Sequence, residues 1–597
     1  MKEAISGEGP AGARYCSTVP SSVIQTGFQR YERPVYDYPT KFPPCRAHCP
    51  AGHDIAWALY LAAMERYDLA HRTFLEDSPF PAITGRVCYH PCEGACNRGA
   101  YDQPVAIQAL ERACAEWGGE SPETPPPRLY PETVGIIGAG PAGLTCAYHL
   151  VKLGYGVTVY EAQSRPGGVL AWGIPPYRLP RPVLQREMER LQKMGVQFCL
   201  NTRIGRDLSF SEVQSRHQAL FLGLGLSRPR SLPIPLPEHP RILAGIDFLR
   251  QVSLPANGAG KGPDPFSGKV VVVGGGDVAI DAARSARRLG APEVGLYCLE
   301  SRPEMPAHPE EVEAALSEGI QLRERVALQG VEVNRDSLLL HLASVREVRR
   351  GTGGEVAYTL DPELRLASVS ADSLIYAIGQ QPDLAGLPEW LQEGPVVAVD
   401  ALGQTACPGV FAGGDLIGVY NVVNAIGSAK RAAIGIDVFL RGWSREGLEE
   451  QIRVGPQGAL SMASYQAWRS GQSPPRMERA VTVEDINLSY FPRRPRLRRP
   501  ALEPAARVQS FAEVNGTLSA ESSTAEAQRC FNCGICNRCG NCFLYCPDSS
   551  VVPLADWDFA IDLDHCKGCG ICVEECPRHA MSMVPEREVA DHEAAVG

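Results

Sequence analysis

From Cys530 to Pro547 the chain reads CFNCGICNRCGNCFLYCP, and from Cys566 to Pro577 it reads CKGCGICVEECP. Ten thiols packed this closely constrain the fold more than any other stretch. A bacterial-type iron–sulfur run is Cys-x2-Cys-x2-Cys-x3-Cys-Pro, and its fourth cysteine ligates the other cluster of a pair. Cys536, Cys539, Cys542 and Cys546 have that spacing, with Pro547 behind them. Cys566, Cys569, Cys572 and Cys576 repeat it, with Pro577 behind them. Three thiolates from one tight loop grip three irons of a cube, and the fourth iron is reached from the other half of the domain. The spacing therefore predicts one cube on Cys536, Cys539, Cys542 and Cys576, and a second on Cys566, Cys569, Cys572 and Cys546. A zinc ribbon does not explain two such runs with both prolines, and a disulfide knot does not suit a cytosolic chain. Cys530 and Cys533 are left over, either as ligands of an additional metal site or as a spare CxxC.

This tail resembles a two-cluster ferredoxin. The rest of the chain has to explain what feeds it. With 597 residues there is room for three or four domains with sizeable cores. A net charge of −10 gives no whole-chain attraction for nucleic acid. The basic run RRPRLRR, Arg493 to Arg499, is interleaved with proline and reads as a solvated linker. No run of eighteen apolar residues occurs, so no membrane span is expected. MKEAISGEGPAGARY lacks a signal-peptide core, and 21 cysteines in metal-type spacings point to the cytoplasm.

Two dinucleotide-binding fingerprints follow. In VGIIGAGPAGLTCAYHL an apolar strand runs into Gly138, Gly140 and Gly143, with Pro141 and Ala142 opening a helix. The first glycine permits the tight turn, the second lets backbone approach a pyrophosphate, and the third lets helix pack on strand. The pyrophosphate rests on the helix N-terminus, where free N–H groups and the dipole favour an anion. A second strand, GYGVTVYEA, ends in Glu161, where a ribose hydroxyl partner is expected. The pattern recurs in GKVVVVGGGDVAIDAARSARRLG at Gly274, Gly276, Asp277 and Ala279, and its second strand ends at Glu300. Downstream, GVFAGGDLIG places Gly414 and Asp415 after a strand, where Asp415 is positioned to bond a flavin ribitol. LIYAIGQQPD gives another strand-to-glycine turn at Gly379.

This order resembles the two-dinucleotide-binding-domain flavoproteins, in which an NAD(P) domain is inserted into a split FAD domain. PGGVLAWGIPPYRLP (with Gly168 and Arg178), SRPEMPA and GRVCYHPCEGAC narrow it to the glutamate synthase small-subunit family, which includes the electron-input half of dihydropyrimidine dehydrogenase. The resemblance spans residues 41 to 576 and implies an α/β fold with helical iron–sulfur and ferredoxin-like additions. The expected domains begin with an N-terminal arm (1–40) and a helical Fe–S domain (41–120). The first segment of the FAD domain (130–265), an inserted NAD(P) domain (266–370) and the second FAD segment (371–440) follow. An extension with the basic linker (441–524) and a ferredoxin-like domain (525–597) complete the chain.

The N-terminal cysteines are Cys45, Cys49, Cys88, Cys92 and Cys96. Two-cluster members of the family carry Cys-x2-Cys-x4-Cys-x3-Cys-Pro here, and the first two positions fall on Asp37 and Thr40 in this chain. The expectation is therefore one N-terminal cluster. The resemblance implies Cys49, Cys88 and Cys92 with a non-cysteine ligand such as Glu111; an all-cysteine set from Cys45, Cys49, Cys92 and Cys96 competes. The total is one FAD and three [4Fe–4S] clusters, about twelve irons.

Function narrows by exclusion. Between residues 130 and 420 the cysteines are Cys146, Cys199, Cys298 and Cys407, with no CxxC or CxxxxC, so a thiol–disulfide mechanism is not expected. No amidotransferase-like domain is present for glutamine-dependent glutamate synthesis. What remains is electron wiring: an NAD(P)H:acceptor oxidoreductase subunit in a hetero-oligomeric complex. It would exchange single electrons with a ferredoxin or with a low-potential enzyme such as a 2-oxoacid:ferredoxin oxidoreductase. A glutamate synthase small subunit and a non-catalytic Fe–S scaffold are the alternatives. Family members that use NADPH carry two adjacent arginines where this chain has Leu299 and Glu300. A carboxylate there accepts from a free ribose 2′-OH and repels a phosphate. NAD(H) is therefore expected over NADP(H), with Arg302 as the nearby cation that opposes this.

Overall fold

A computed structural model of the chain describes residues 32–119, 125–255, 262–335, 337–351, 356–392, 394, 396–456, 458–555, 558–585 and 588–589. Most of the expected N-terminal arm, some of the 121–132 linker and some of the 254–268 loop lie outside the described residues.

Two parallel five-stranded sheets form the centre. The first has the order Val410–Ala412, Ala219–Leu222, Thr133–Ile137, Gly156–Tyr160 and Gln197–Cys199. The second has the order Gln321–Arg323, Val294–Tyr297, Val270–Val273, Ser373–Tyr376 and Ile242–Ala244. Val270–Val273 is four valines, all buried, as a central parallel strand covered on both faces requires. The helix Pro141–Leu153 carries proline in its first turn and stops at Gly154, whose φ of 100° makes the left-handed cap that glycine adopts without strain.

The boundaries of the inserted unit differ from the sequence-based ones. Ile242–Ala244 and Ser373–Tyr376 pair within the second sheet, so that unit extends beyond 266–370 on both sides. Arg228–Pro229 pairs antiparallel with Gln380–Gln381, a two-stranded crossing through which the chain leaves one sheet and returns. The inserted unit also carries an antiparallel sheet, built mainly from Val326–Val333, Leu338–Arg350 and Val356–Arg365.

Helices Ile55–Ala63, Tyr67–Asp77, Pro81–Val87 and Ile107–Trp117 form the N-terminal helical layer. Glu32–Tyr36 pairs antiparallel with Met581–Pro585, so residues 32–36 of the expected N-terminal arm pack with the C-terminal unit. The basic run is likewise not a solvated linker. Arg496 pairs with Glu93 (2.5 Å), Arg493 donates to the Tyr101 carbonyl (2.6 Å) and Arg499 to Gln108 (3.1 Å), strapping the segment across the helical layer.

Candidate functional site

At the first fingerprint each glycine has a distinct steric reason. Gly138 has φ 102°, and a Cβ on it would lie 2.4 Å from the Gly223 carbonyl oxygen. A Cβ on Gly143 would lie 1.9 Å from the Gly138 oxygen, so only glycine lets this helix seat on its strand. A Cβ on Gly140 would meet nothing closer than 4.0 Å, which leaves room for a pyrophosphate at the start of Pro141–Leu153. Gly168 closes over it, since its own Cβ would lie 2.7 Å from the Gly140 Cα. Glu161 accepts from the Ala139 and Gln163 N–H groups (both 2.8 Å), and burial raises its carboxyl. Gly414, φ 70°, sits on Ala142, with 2.9 Å between a Cβ on it and that of Ala142. This seats Asp415 over the same helix N-terminus, and burial pushes its carboxyl up to about 6. These residues fit an FAD.

Arg178 is committed elsewhere. It pairs with Asp281 (2.7 Å) and Glu311 (3.1 Å) of the inserted unit, which ties the two nucleotide units together. Gly379, φ 108°, forms the inter-sheet crossing, with its carbonyl accepting from Arg230 N–H (3.0 Å).

At the second fingerprint Gly274 has φ 144°, and a Cβ on it would lie 2.2 Å from the Ala377 oxygen. Ala279 takes the third glycine position and is fully buried. A Cβ on Gly276 would meet nothing closer than 3.9 Å. Asp277 accepts from His308 N–H (3.0 Å). Glu300 is 5% exposed and turns toward the glycine loop: a Cβ on Gly275 would lie 2.5 Å from its carboxylate. Arg350, at the end of the strand Leu338–Arg350, pairs with Glu300. Arg302 pairs with Glu313 and is half-exposed. Arg350 had no signature in the sequence, because a strand from a separate antiparallel sheet brings it in.

Among the described residues no group of three or more His, Cys, Asp or Glu draws together as ligands of one ion would. The cysteines line separate cavities. Cys536, Cys539, Cys542 and Cys576 line one cavity, and Tyr36 O–H lies 3.2 Å from Cys542 Sγ. Cys546, Cys566, Cys569 and Cys572 line another. The fourth cysteine of each run thus crosses to the other loop. Backbone N–H groups point at the sulfurs: Ser550 to Cys546 (3.2 Å), Gly568 to Cys566 (3.4 Å) and Ala580 to Cys576 (3.3 Å). Such bonds tune cluster potentials.

In the helical layer Cys49, Cys88, Cys92 and Glu111 line a third cavity, together with Val423 of the helix Val422–Arg441. Burial pushes Glu111 up to about 8, against an opposing hydrogen bond from Thr84 (2.6 Å). Burial also raises Cys49, to about 11, so a metal cation is what would hold these groups ionised. Cys45 and Cys96 do not join this group; they line a separate cavity with Cys530 and Cys533. The all-cysteine set of Cys45, Cys49, Cys92 and Cys96 is therefore not assembled.

Comparison with known proteins bears on each region. The family description "pyridine nucleotide-disulphide oxidoreductase" matches residues 132–432. "Dihydropyrimidine dehydrogenase domain II, 4Fe-4S cluster" matches 38–122, and "4Fe-4S binding domain" matches 559–582. The chain is 34% identical over 537 residues to the NADP(+)-dependent formate dehydrogenase subunit beta of Moorella thermoacetica, covering 82% of this chain and 70% of that one. It is 31% identical to the NAD-dependent dihydropyrimidine dehydrogenase subunit PreT of Escherichia coli, covering 67% of this chain and 91% of that one. It is 32% identical to the glutamate synthase [NADPH] small chain of Azospirillum brasilense, covering 67% and 86%. Among the described residues no helix is long and apolar enough to cross a membrane.

Proposed function

We propose a function for a chain that belongs to the pyridine nucleotide-disulphide oxidoreductase family: an electron-transfer oxidoreductase subunit that draws on NAD(P)H and serves a one-electron partner. The observation that carries it is a set of cysteine-lined cavities, one reaching Val423 of the helix that follows Asp415 and two in the C-terminal unit, in a chain that also carries two nucleotide fingerprints. Bound FAD supplies the chemistry, taking a hydride from nicotinamide and releasing electrons one at a time.

The chain's own residues bind, orient and exclude water. Gly138, Gly140 and Gly143 would admit the FAD pyrophosphate to the start of Pro141–Leu153, with Glu161 toward the ribose and Asp415 toward the ribitol. Gly274, Gly276 and Ala279 would do the same for the nicotinamide nucleotide. Cys536, Cys539, Cys542 and Cys576 would hold one [4Fe–4S] cube and Cys546, Cys566, Cys569 and Cys572 a second. Cys49, Cys88 and Cys92, with Glu111, would hold one in the helical layer. Thiol–disulfide exchange has no role in this reading: Cys146 is fully buried within Pro141–Leu153 and burial holds its thiol well above the usual range.

For the nucleotide, buried Glu300 beside the glycine loop favours NAD(H) over NADP(H). The partner is a catalytic subunit or ferredoxin of low potential, as the beta-subunit name of the formate dehydrogenase relative suggests. Anaerobic purification of the native protein, with identification of what accompanies it, tests this. A formate, dihydropyrimidine or 2-oxoacid enzyme alongside supports the reading. A large amidotransferase subunit alongside favours glutamate synthase instead, and a holoprotein that oxidises neither NADH nor NADPH with a dye acceptor reduces the chain to a scaffold.

A further inference from the structure

Cys45, Cys96, Cys530 and Cys533 face one cavity, as Cys536, Cys539, Cys542 and Cys576 face another. All four are free thiols. Cys45 sits on the short helix Pro44–Ala47 and Cys96 follows Pro91–Gly94, whereas Cys530 and Cys533 come from the other end of the chain.

The backbone of this CxxC repeats a turn found twice more in the chain. Asn532 has φ 51° and Gly534 φ 76°. In the first ferredoxin-type run the matching residues are Arg538, φ 58°, and Gly540, φ 80°; in the second they are Gly568, φ 69°, and Gly570, φ 77°. Positive φ is uncommon away from glycine, so three copies of one turn around paired cysteines point to one task. The hydrogen bonding agrees. Asn532 N–H donates to Cys530 Sγ (3.4 Å) as Gly568 N–H does to Cys566 Sγ (3.4 Å). The Asn97 side-chain amide donates to Cys533 Sγ (3.4 Å), and that of Asn532 to Cys530 Sγ (3.6 Å) and the Ala56 carbonyl (2.8 Å). Amides aimed at sulfur steady thiolates on iron. The remaining walls are largely apolar, with Ile55, Leu59 and Phe531, and the Arg98 guanidinium lies 5.0 Å over the Phe531 ring.

We propose that this cavity binds a fourth [4Fe–4S] cluster, ligated by Cys45 and Cys96 from the helical layer and by Cys530 and Cys533 from the C-terminal region. The CxxC would then supply from the far end of the sequence what Asp37 and Thr40 do not supply locally. Those two are engaged with their own turn: Asp37 pairs with Lys41 (2.6 Å) and Thr40 donates to the Asp37 carbonyl (2.9 Å). The position also fits. Ile55 and Ile107 line both this cavity and the one holding Cys49, while Cys536 of the next cavity is three residues beyond Cys533. The fourth cluster would stand between the helical-layer cube and the ferredoxin-type pair, completing one continuous series.

The test is metal content on anaerobically purified holoprotein, with iron and acid-labile sulfide reconstituted to saturation. The wild type is expected to hold about sixteen irons per chain. Cys530→Ser with Cys533→Ser is expected to lose about four of them and one cluster's worth of spin in the fully reduced electron paramagnetic resonance spectrum, at unchanged FAD content. Cys45→Ser checks the same site from the other half should the double variant fail to fold, and the wild-type count decides by itself. A wild type with about twelve irons, lowered by Cys49→Ser but not by Cys530→Ser with Cys533→Ser, overturns the proposal, as does zinc in place of the last four irons. The count requires no turnover, so its failure is distinct from failure of the electron-transfer reading.

Discussion

In the proposed reading, Glu300 sets the nucleotide preference by charge at a single point, with Arg350 beside it. The carboxylate sits against the Gly275 turn, where it would repel a 2′-phosphate, and Arg350 of the strand Leu338–Arg350 pairs with it. Removing that repulsion and adding a charge-assisted bond should each be worth about 1–3 kcal/mol, or tenfold and more in selectivity. The wild type is expected to prefer NADH by kcat/KM with a dye acceptor. Leu299→Arg with Glu300→Arg should move the preference toward NADPH by at least tenfold. A wild type that prefers NADPH would show that Arg350 takes the 2′-phosphate despite Glu300. At this scale the sequence was legible where the signal is local. The glycines could be read because their spacing in the fingerprint marks where a Cβ would block a close approach of backbone or phosphate, and Glu300 because it follows its strand directly. Arg350 was not legible, because strand pairing in a separate sheet delivers it.

Single elements explain why some readings were available and others were not. The x2-x2-x3 spacing of the two C-terminal runs forces Cys546 and Cys576 to cross, a constraint internal to about ten residues. Ile242–Ala244 is three residues long and precedes the fingerprint of its own sheet, so nothing local marked it as belonging to the inserted unit. Cys530 and Cys533 looked surplus because their companions lie more than 400 residues away. The C-terminal element yields its own prediction. Cys569 is exposed at the cavity it shares with Cys546, Cys566 and Cys572. Cys569→Ala should abolish electron delivery to the partner while leaving NADH-dependent bleaching of the flavin band unchanged in rapid mixing. Loss of flavin bleaching in a variant that still binds FAD would show that this unit does more than conduct.

At the scale of the whole molecule, a buried ion pair joins the helical layer to the helix Val422–Arg441. Lys430, on Val422–Arg441, bonds Asp77 of the helical layer (2.7 Å), the Ala51 carbonyl and the Leu460 carbonyl (2.5 Å), so one ammonium joins three regions of the chain. Asp77 also accepts from Met462 N–H (3.1 Å). Burial alone would raise the Asp77 carboxyl, but Lys430, Arg46 and His53 outweigh it and hold it below the usual range. A depressed carboxyl stabilises the fold above its unfolded value, about pH 4, and that contribution is lost as pH falls through the folded value. Lys430→Met leaves Asp77 buried and unpaired and should cost about 3–5 kcal/mol, seen as a lowered first thermal transition with helical-layer cleavage by protease. Lys430→Met with Asp77→Asn should recover some of that loss, and an unchanged transition in the single variant would rule this pair out as the clamp. Such docking matters to the proposed wiring, because clusters in these cavities would exchange electrons only while helical layer, flavin unit and C-terminal unit stay in contact. The measurement that tests this most directly is anaerobic rapid mixing of holoprotein with NADH, followed at the flavin band and in the broad iron–sulfur absorbance. Flavin bleaching should come first, with cluster bleaching after it within the same turnover; a flavin that stays reduced beside clusters that stay oxidised would contradict the wiring.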